Sequence, residues 1–168
     1  WRETLLPYFQ ELGVDPKTIV SGPGRFPFSH DSADVLEKFK PNVVSFHFGL
    51  PEPDLVARVK NWGSKVVSSA TSVEEAWWLQ EQGVDAIIAQ GLEAGGHRGM
   101  FLTKNISTQV GTMALVPQIV AAVSIPVVAA GGIADAAGVS AAMRLGAIGV
   151  QAGTAFLLCH EATTSSVH

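Results

Sequence analysis

One ten-residue run concentrates the groups able to do chemistry: Gln90-Gly91-Leu92-Glu93-Ala94-Gly95-Gly96-His97-Arg98-Gly99. It sets a single titratable base, His97, among glycines. An imidazole with an ordinary pKa of about 6.5 can take up a proton near neutral pH, and glycines let a ligand approach it closely. A lone histidine beside Arg98 is also readable as a solvated loop residue, but the glycine setting favours the base. Glu93 orients the loop or pairs with Arg98, and Gln90 can offer an amide to a heteroaromatic ring. His47 is a second candidate base, or else a satisfied histidine on an inner face. His30, His160 and His168 read as surface or loop residues, and Cys159 beside His160 as incidental.

Two further glycine corners, Gly131-Gly132 and Gly153-Thr154, suit an anion rather than a proton. Backbone N–H groups freed of side-chain crowding can surround a phosphate, above all where a short helix begins, as expected at Ala155. A tight strand-to-helix turn would also explain Gly131-Gly132 alone. The joint placement of both corners favours a phosphorylated cofactor or substrate. No G-x-G-x-x-G opens a helix after a strand and no Walker A lysine is present, so dinucleotide and P-loop sites have little support. Neither Gly-x-Ser-x-Gly nor His-Glu-x-x-His occurs, and no metal site is expected.

The elements that must position these residues recur with a regular beat. Segments Lys65–Ala70, Asp85–Gln90, Pro126–Ala130 and Ala147–Gln151 are nearly continuous apolar runs, as in parallel strands covered on both faces. In a fifth, Asn42–Phe48, the spacing directs Val44, Phe46 and Phe48 one way and Ser45 and His47 the other, which suggests a site on the polar face. Strand starts near 43, 65, 85, 126 and 147 give steps of 22, 20, 41 and 21 residues. The one long step contains the glycine-histidine loop, and long loops in compact domains are commonly functional.

Helix signals lie between the strands. Pro53 and Gly63 bracket one helix; Ser72 and Glu75 form a capping box for Val73–Gln82, which Gly83 closes. Trp77 and Trp78 read as packing residues. A helix spans 109–123, and Asp135 caps another that ends at Gly146, with Ala137, Ala141, Ala142 and Leu145 as its sheet-facing side. Residues 1–13 read as a helix and Gly22–Ser29 as a loop. This pattern predicts an α/β fold, a (βα)8 TIM barrel of which the chain supplies about five C-terminal strands, since a full barrel takes roughly 250 residues. Active sites of such barrels lie at the carboxyl ends of the strands, where the glycine corners and His97 fall.

Composition narrows the rest. The net charge of -4 excludes a nucleic-acid binder by charge, and 47% hydrophobic with 15% charged residues excludes disorder and coiled coil. The apolar stretch Ala114–Val139 is long enough for a membrane span, but Pro117, Pro126, Gly131, Gly132 and Asp135 break it. The single Cys159 allows no internal disulfide, which favours a reducing, cytoplasmic setting. With no initiating Met and no closing helix, the chain reads as an excerpt truncated at both ends, residues 1–168 being the C-terminal portion of one barrel domain.

The segments Val44-Ser45-Phe46-His47-Phe48-Gly49-Leu50-Pro51, Gln90 to Gly99, Ala129-Ala130-Gly131-Gly132-Ile133 and Gln151-Ala152-Gly153-Thr154 together resemble the nitronate monooxygenase family, formerly called 2-nitropropane dioxygenase. FMN-dependent enoyl reductases of fatty-acid synthesis share a similar glycine-histidine loop. The resemblance implies an FMN enzyme that oxidises alkyl nitronates, or nitroalkanes, with O2 to a carbonyl compound and nitrite, a detoxification chemistry. It assigns Gln90, Gly95, Gly131, Gly132, Gln151, Ala152, Gly153 and Thr154 to the flavin, with Gly132 and the stretch Gln151 to Thr154 on its phosphate side, and makes His97 the catalytic base. Ser45 and His47 fall beside the substrate. Alternatives are an FMN-dependent enoyl-ACP reductase and a non-catalytic phosphate-ligand-binding partial barrel. Because open strand edges would be exposed, the isolated chain is expected to aggregate or pair with a partner rather than hold FMN tightly.

Overall fold

The computed structural model describes residues 2–20 and 26–165. Five strands, β1 (Val43–Phe46), β2 (Lys65–Ala70), β3 (Ala86–Gln90), β4 (Val127–Ala130) and β5 (Gly149–Gln151), form one sheet in sequential order, every neighbouring pair parallel. This is the partial (βα)8 barrel expected from the spacing. Helices α1 (Leu6–Glu11) and α2 (His30–Glu37) precede β1, and α3 (Pro53–Asn61), α4 (Val73–Glu81), α5 (Thr112–Ala122) and α6 (Ala136–Arg144) lie in the crossovers.

The core lies between the sheet and α3 to α5, where Val59, Val66, Leu79, Ile87, Leu115, Val116 and Ile119 are fully buried. β3, at the centre, is buried from residue 87 to residue 90, with α4 and α5 packed against it. At the sheet margins Val43 and Ile148 are more than half exposed. No helix among the described residues is long and apolar enough to cross a membrane.

Local signals set the helix ends. The Ser72 hydroxyl accepts from the Glu75 N–H at 3.2 Å and the Asp135 carboxylate from the Gly138 N–H at 2.8 Å, each satisfying a first-turn donor. Gly146 ends the α6 turn at φ +99°, where a Cβ would also stand 2.8 Å from Val120 Cγ1, so only glycine fits.

Several expectations need correction. Helix α2 had no counterpart in the sequence reading; its signal is Ser29, whose hydroxyl accepts from the Ser32 N–H at 3.4 Å. His30 keeps the exposed surface position expected of it, at the start of this helix, where it faces Asp54 at 3.3 Å. The helix expected over 1–13 is confined to α1, and that expected over 109–123 starts only at Thr112. Of the loop expected over Gly22–Ser29, residues 22–25 lie outside the described residues, as does His168. Phe48 does not continue the β1 alternation: the strand ends at Phe46, and Phe48 adopts φ +65° and is half exposed. Ala137 is exposed rather than sheet-facing; Ala142 alone of its predicted face is fully buried. Trp78 packs on the core and edge-on against Phe101, whereas Trp77 is half exposed and donates its indole N–H to the Ala122 carbonyl at 2.9 Å.

Candidate functional site

Register brings the site together. Gln90 pairs with Ala130 and Ala130 with Gln151, so β3, β4 and β5 end level, with neighbours about 4.8 Å apart. The loops leaving these ends enclose a cavity of about 350 Å³. Gln90 and Gly95 line it from the end of β3 and its loop, Gly131 and Gly132 from the turn after β4, and Gln151, Gly153 and Thr154 from β5 and the turn after it. Ala152 does not line it. Residues separated by more than sixty positions in sequence thus share one pocket, the two glycine corners among them. A short 3-10 turn, Thr154–Phe156, follows the second corner.

The long loop is held from within. Gln90, nearly buried at the end of β3, donates its amide N–H to the His97 carbonyl at 3.0 Å and accepts from the Gly99 N–H at 2.6 Å. Its amide therefore ties the loop as well as lining the cavity. Arg98 donates to the Gly91 carbonyl at 2.8 Å and to the Ala94 carbonyl, curling the glycine segment around its guanidinium. Glu93 takes the orienting role: one carboxylate oxygen accepts from the Thr112 N–H at 2.7 Å and the Thr112 hydroxyl at 2.8 Å, capping α5 from the loop. Burial pushes the Glu93 carboxyl up, but the Thr112 bonds, aided by the Arg98 charge, outweigh it and hold the group below the ordinary carboxylate range.

Two residues that sequence reasoning did not single out for this site organise it. Thr112 lies 3.0 Å from the Gly131 carbonyl through its hydroxyl, linking the loop, α5 and the first glycine corner. A Cβ at Gly91 would come within 2.0 Å of that hydroxyl oxygen, so glycine is required by the close approach. Glu75, 1% exposed, was visible only as the second half of a capping box. Its carboxylate instead accepts from the Thr71 N–H and hydroxyl at 2.7 and 2.8 Å, and from the Phe101 and Leu102 N–H groups at 2.7 and 3.2 Å. It fastens the far end of the histidine loop to the start of α4. No pattern in the sequence marks an acid that bonds across twenty-six positions.

His97 itself is exposed and does not line the glycine cavity; its ring stands edge-on to Phe48, with centroids 6.0 Å apart. Ser45 and His47 line a second, larger cavity of about 660 Å³ beside β1, together with Phe46 and Phe48. The expected site residues therefore divide between two cavities, and the histidine loop carries contacts to both: Gly95 to the first, and the His97 ring to Phe48 of the second. His47 is bonded through both ring nitrogens, to the Ser69 hydroxyl at 3.0 Å and the His97 carbonyl at 3.2 Å.

The sequence model of nitronate monooxygenase matches residues 7–168. The chain belongs to this family. It is 48% identical over 139 residues to a probable nitronate monooxygenase of Bacillus subtilis, covering 83% of this chain and 40% of that protein. Among solved structures it resembles nitroalkane oxidase from Streptomyces ansochromogenes, with 41% identity and a TM-score of 0.70 over 75% of this chain and 37% of that one. FabK from Thermotoga maritima is also similar, with 39% identity and a TM-score of 0.66 over 79% of this chain and 39% of that one. The chain spans less than half the length of the relatives it matches.

With the Glu93 carboxylate engaged by Thr112, the donors the glycine cavity offers a phosphate-bearing ligand include backbone N–H groups. The cavity's volume falls in the ~300–1,000 Å³ range of small-molecule sites. Among the described residues, the N–H groups of Gly132 and Gly153 make no hydrogen bond, and open space surrounds the Cβ position of Gly153. A Cβ at Gly95 would stand 2.8 Å from the Thr154 hydroxyl oxygen and narrow the space between the two walls.

Proposed function

We propose that this chain is the C-terminal, FMN-holding part of a cytoplasmic oxidoreductase that converts alkyl nitronates or nitroalkanes and O2 to a carbonyl compound and nitrite. The observation that carries this reading is the single cavity lined by Gln90, Gly95, Gly131, Gly132, Gln151, Gly153 and Thr154, in a chain of the nitronate monooxygenase family. In this reading the Gly131-Gly132 and Gly153-Thr154 corners hold the phosphate through backbone N–H groups, with Ala152 in the same turn. Gln90 and Gly95 lie toward the ring, and Gln151 belongs with the second corner on the phosphate side. FMN, when bound, supplies the redox chemistry that none of these side chains can perform.

The chain's own part is proton handling and positioning. His97, on a loop held at both ends by Gln90 and Glu75, takes the proton from the carbon beside the nitro group of a neutral nitroalkane. For a substrate already ionised as the nitronate, the protonated imidazole holds the anion. Ser45 and the Phe46–Phe48 wall form the neighbouring surface for the substrate's organic part.

A second reading, an FMN-dependent enoyl-ACP reductase, has the likeness to FabK in its favour. One comparison on the full-length protein separates the two. Nitronate-dependent oxygen uptake under air without NAD(P)H, with visible flavin absorbance, supports the first; a requirement for NAD(P)H supports the second. His97→Asn is expected to keep the flavin and lose turnover of the neutral nitroalkane. A full-length protein without flavin bands overturns both.

A further inference from the structure

The second histidine of the site is bonded in a way that decides its role. His47 follows β1, Ser69 lies in β2 and Gln90 ends β3, so the three belong to consecutive strands. The His97 carbonyl accepts from Gln90 at 3.0 Å and stands 3.2 Å from His47 Nε2. A carbonyl has no proton to give, so Nε2 must be the protonated nitrogen of the His47 ring. In the neutral ring Nδ1 then accepts from the Ser69 hydroxyl, 3.0 Å away and nearly buried. Neither nitrogen is left to take a proton from a substrate. The loop is shaped to this ring: a Cβ at Gly99 would lie 2.6 Å from His47 Cε1 and 3.1 Å from the Gln90 side-chain oxygen.

We infer that His47 is a positioning residue: with Gln90 it clamps the backbone carbonyl of His97, and so fixes the stem from which the His97 imidazole projects. Ser69 holds the His47 ring in the tautomer that can donate. Two donors on one carbonyl restrain the peptide plane in two directions, and the His97 Cα is part of that plane. The clamp acts on the main chain, so His47, whose ring also borders the second cavity, directs the base through the backbone. This deepens the proposed function and rests on it for the consequence in turnover, but the bonding itself can be read without turnover.

The test compares three forms of the full-length protein. His47→Gln keeps an N–H donor near the position of Nε2 and cannot titrate; His47→Leu keeps bulk and removes the donor. If the ring is a clamp, His47→Leu lowers kcat for the nitroalkane at least tenfold with KM within about threefold, and His47→Gln restores it to within about threefold of wild type. Amide hydrogen exchange at Gly99, whose N–H is held by Gln90, speeds at least tenfold in His47→Leu and returns in His47→Gln. Ring 15N shifts place the proton of His47 on Nε2. Equal loss of turnover in both variants with flavin and Gly99 protection retained would make the ring a base and overturn the inference, as would a proton on Nδ1. Unchanged exchange in His47→Leu would overturn it too. A wild-type protein without nitronate turnover overturns the proposed function alone, because exchange and ring shifts still judge the clamp.

Discussion

Glu75→Gln is the sharpest test of how the histidine loop is held. The wild-type carboxylate, 1% exposed, receives four hydrogen bonds on two oxygens, two from Thr71 and one each from Phe101 and Leu102. Glutamine keeps the shape and turns one oxygen into a donor. The cheaper orientation keeps the amide oxygen toward Phe101 and Leu102 and aims the NH2 at Thr71. The Thr71 hydroxyl can then rotate and accept, but the Thr71 N–H is left without a partner in a site that is 1% exposed. An orphaned buried donor costs about 1–3 kcal/mol, and the loss of charge on the remaining bonds adds about 1, for a total of ~2–4 kcal/mol. At about 1–2 °C per kcal/mol for a protein of the relatives' length, the melting temperature of the full-length protein should fall by about 2–8 °C. Thermal denaturation measures the sum, and hydrogen exchange at Thr71, Phe101 and Leu102 locates it. A loss below about 1 kcal/mol with all three amides still protected would show that the carboxylate does not anchor the loop.

Gly91→Ala places a methyl 2.0 Å from the Thr112 hydroxyl oxygen and 2.4 Å from its backbone nitrogen, so destabilisation at or above the usual ~1–3 kcal/mol of overpacking is expected in a denaturant titration. Thr112→Val, which removes only the hydroxyl between Glu93 and the Gly131 corner, should cost about 1–2 kcal/mol in a denaturant titration and weaken retention of the proposed flavin, read by its fluorescence, with Thr112→Ser recovering both. Acid should destabilise the protein: burial pushes Asp85 up, but Lys65 and the Val66 N–H more than offset it, so Asp85, like Glu93, titrates below the ordinary range. Groups lowered in the folded state stabilise it above about pH 4 and lose that contribution as pH falls through their folded values. The urea midpoint should therefore drop on acidification, less steeply in Asp85→Asn. Asp135→Ala should cost about 1 kcal/mol by removing the α6 cap, measured as a shift in that midpoint.

Much of the architecture was legible because its signals are local. Apolar runs bounded by caps and glycines placed β2 over Lys65–Ala70 at the expected residues and β3 to β5 within two residues of their expected starts. Helix α2 was missed because Ser29 was read as the end of a loop rather than as the cap of the helix that follows it, and Phe48 was misdirected because alternation holds only while the backbone stays extended. The glycine corners were legible as corners, since close backbone approach needs a residue without a Cβ whatever surrounds it.

Which residues touch across the chain was settled only in three dimensions. The level register of β3, β4 and β5 brings Gln90, Gly132 and Thr154 around one cavity. Packing turned Glu75 from a capping residue into a loop anchor and made Thr112 the junction of three segments. It also fixed both nitrogens of His47, for which sequence left two roles open. Periodicity and turn chemistry report how each segment folds against its immediate neighbours. A polar side chain's partner depends on which remote backbone group the packed sheet presents to it, and no spacing along the chain encodes that.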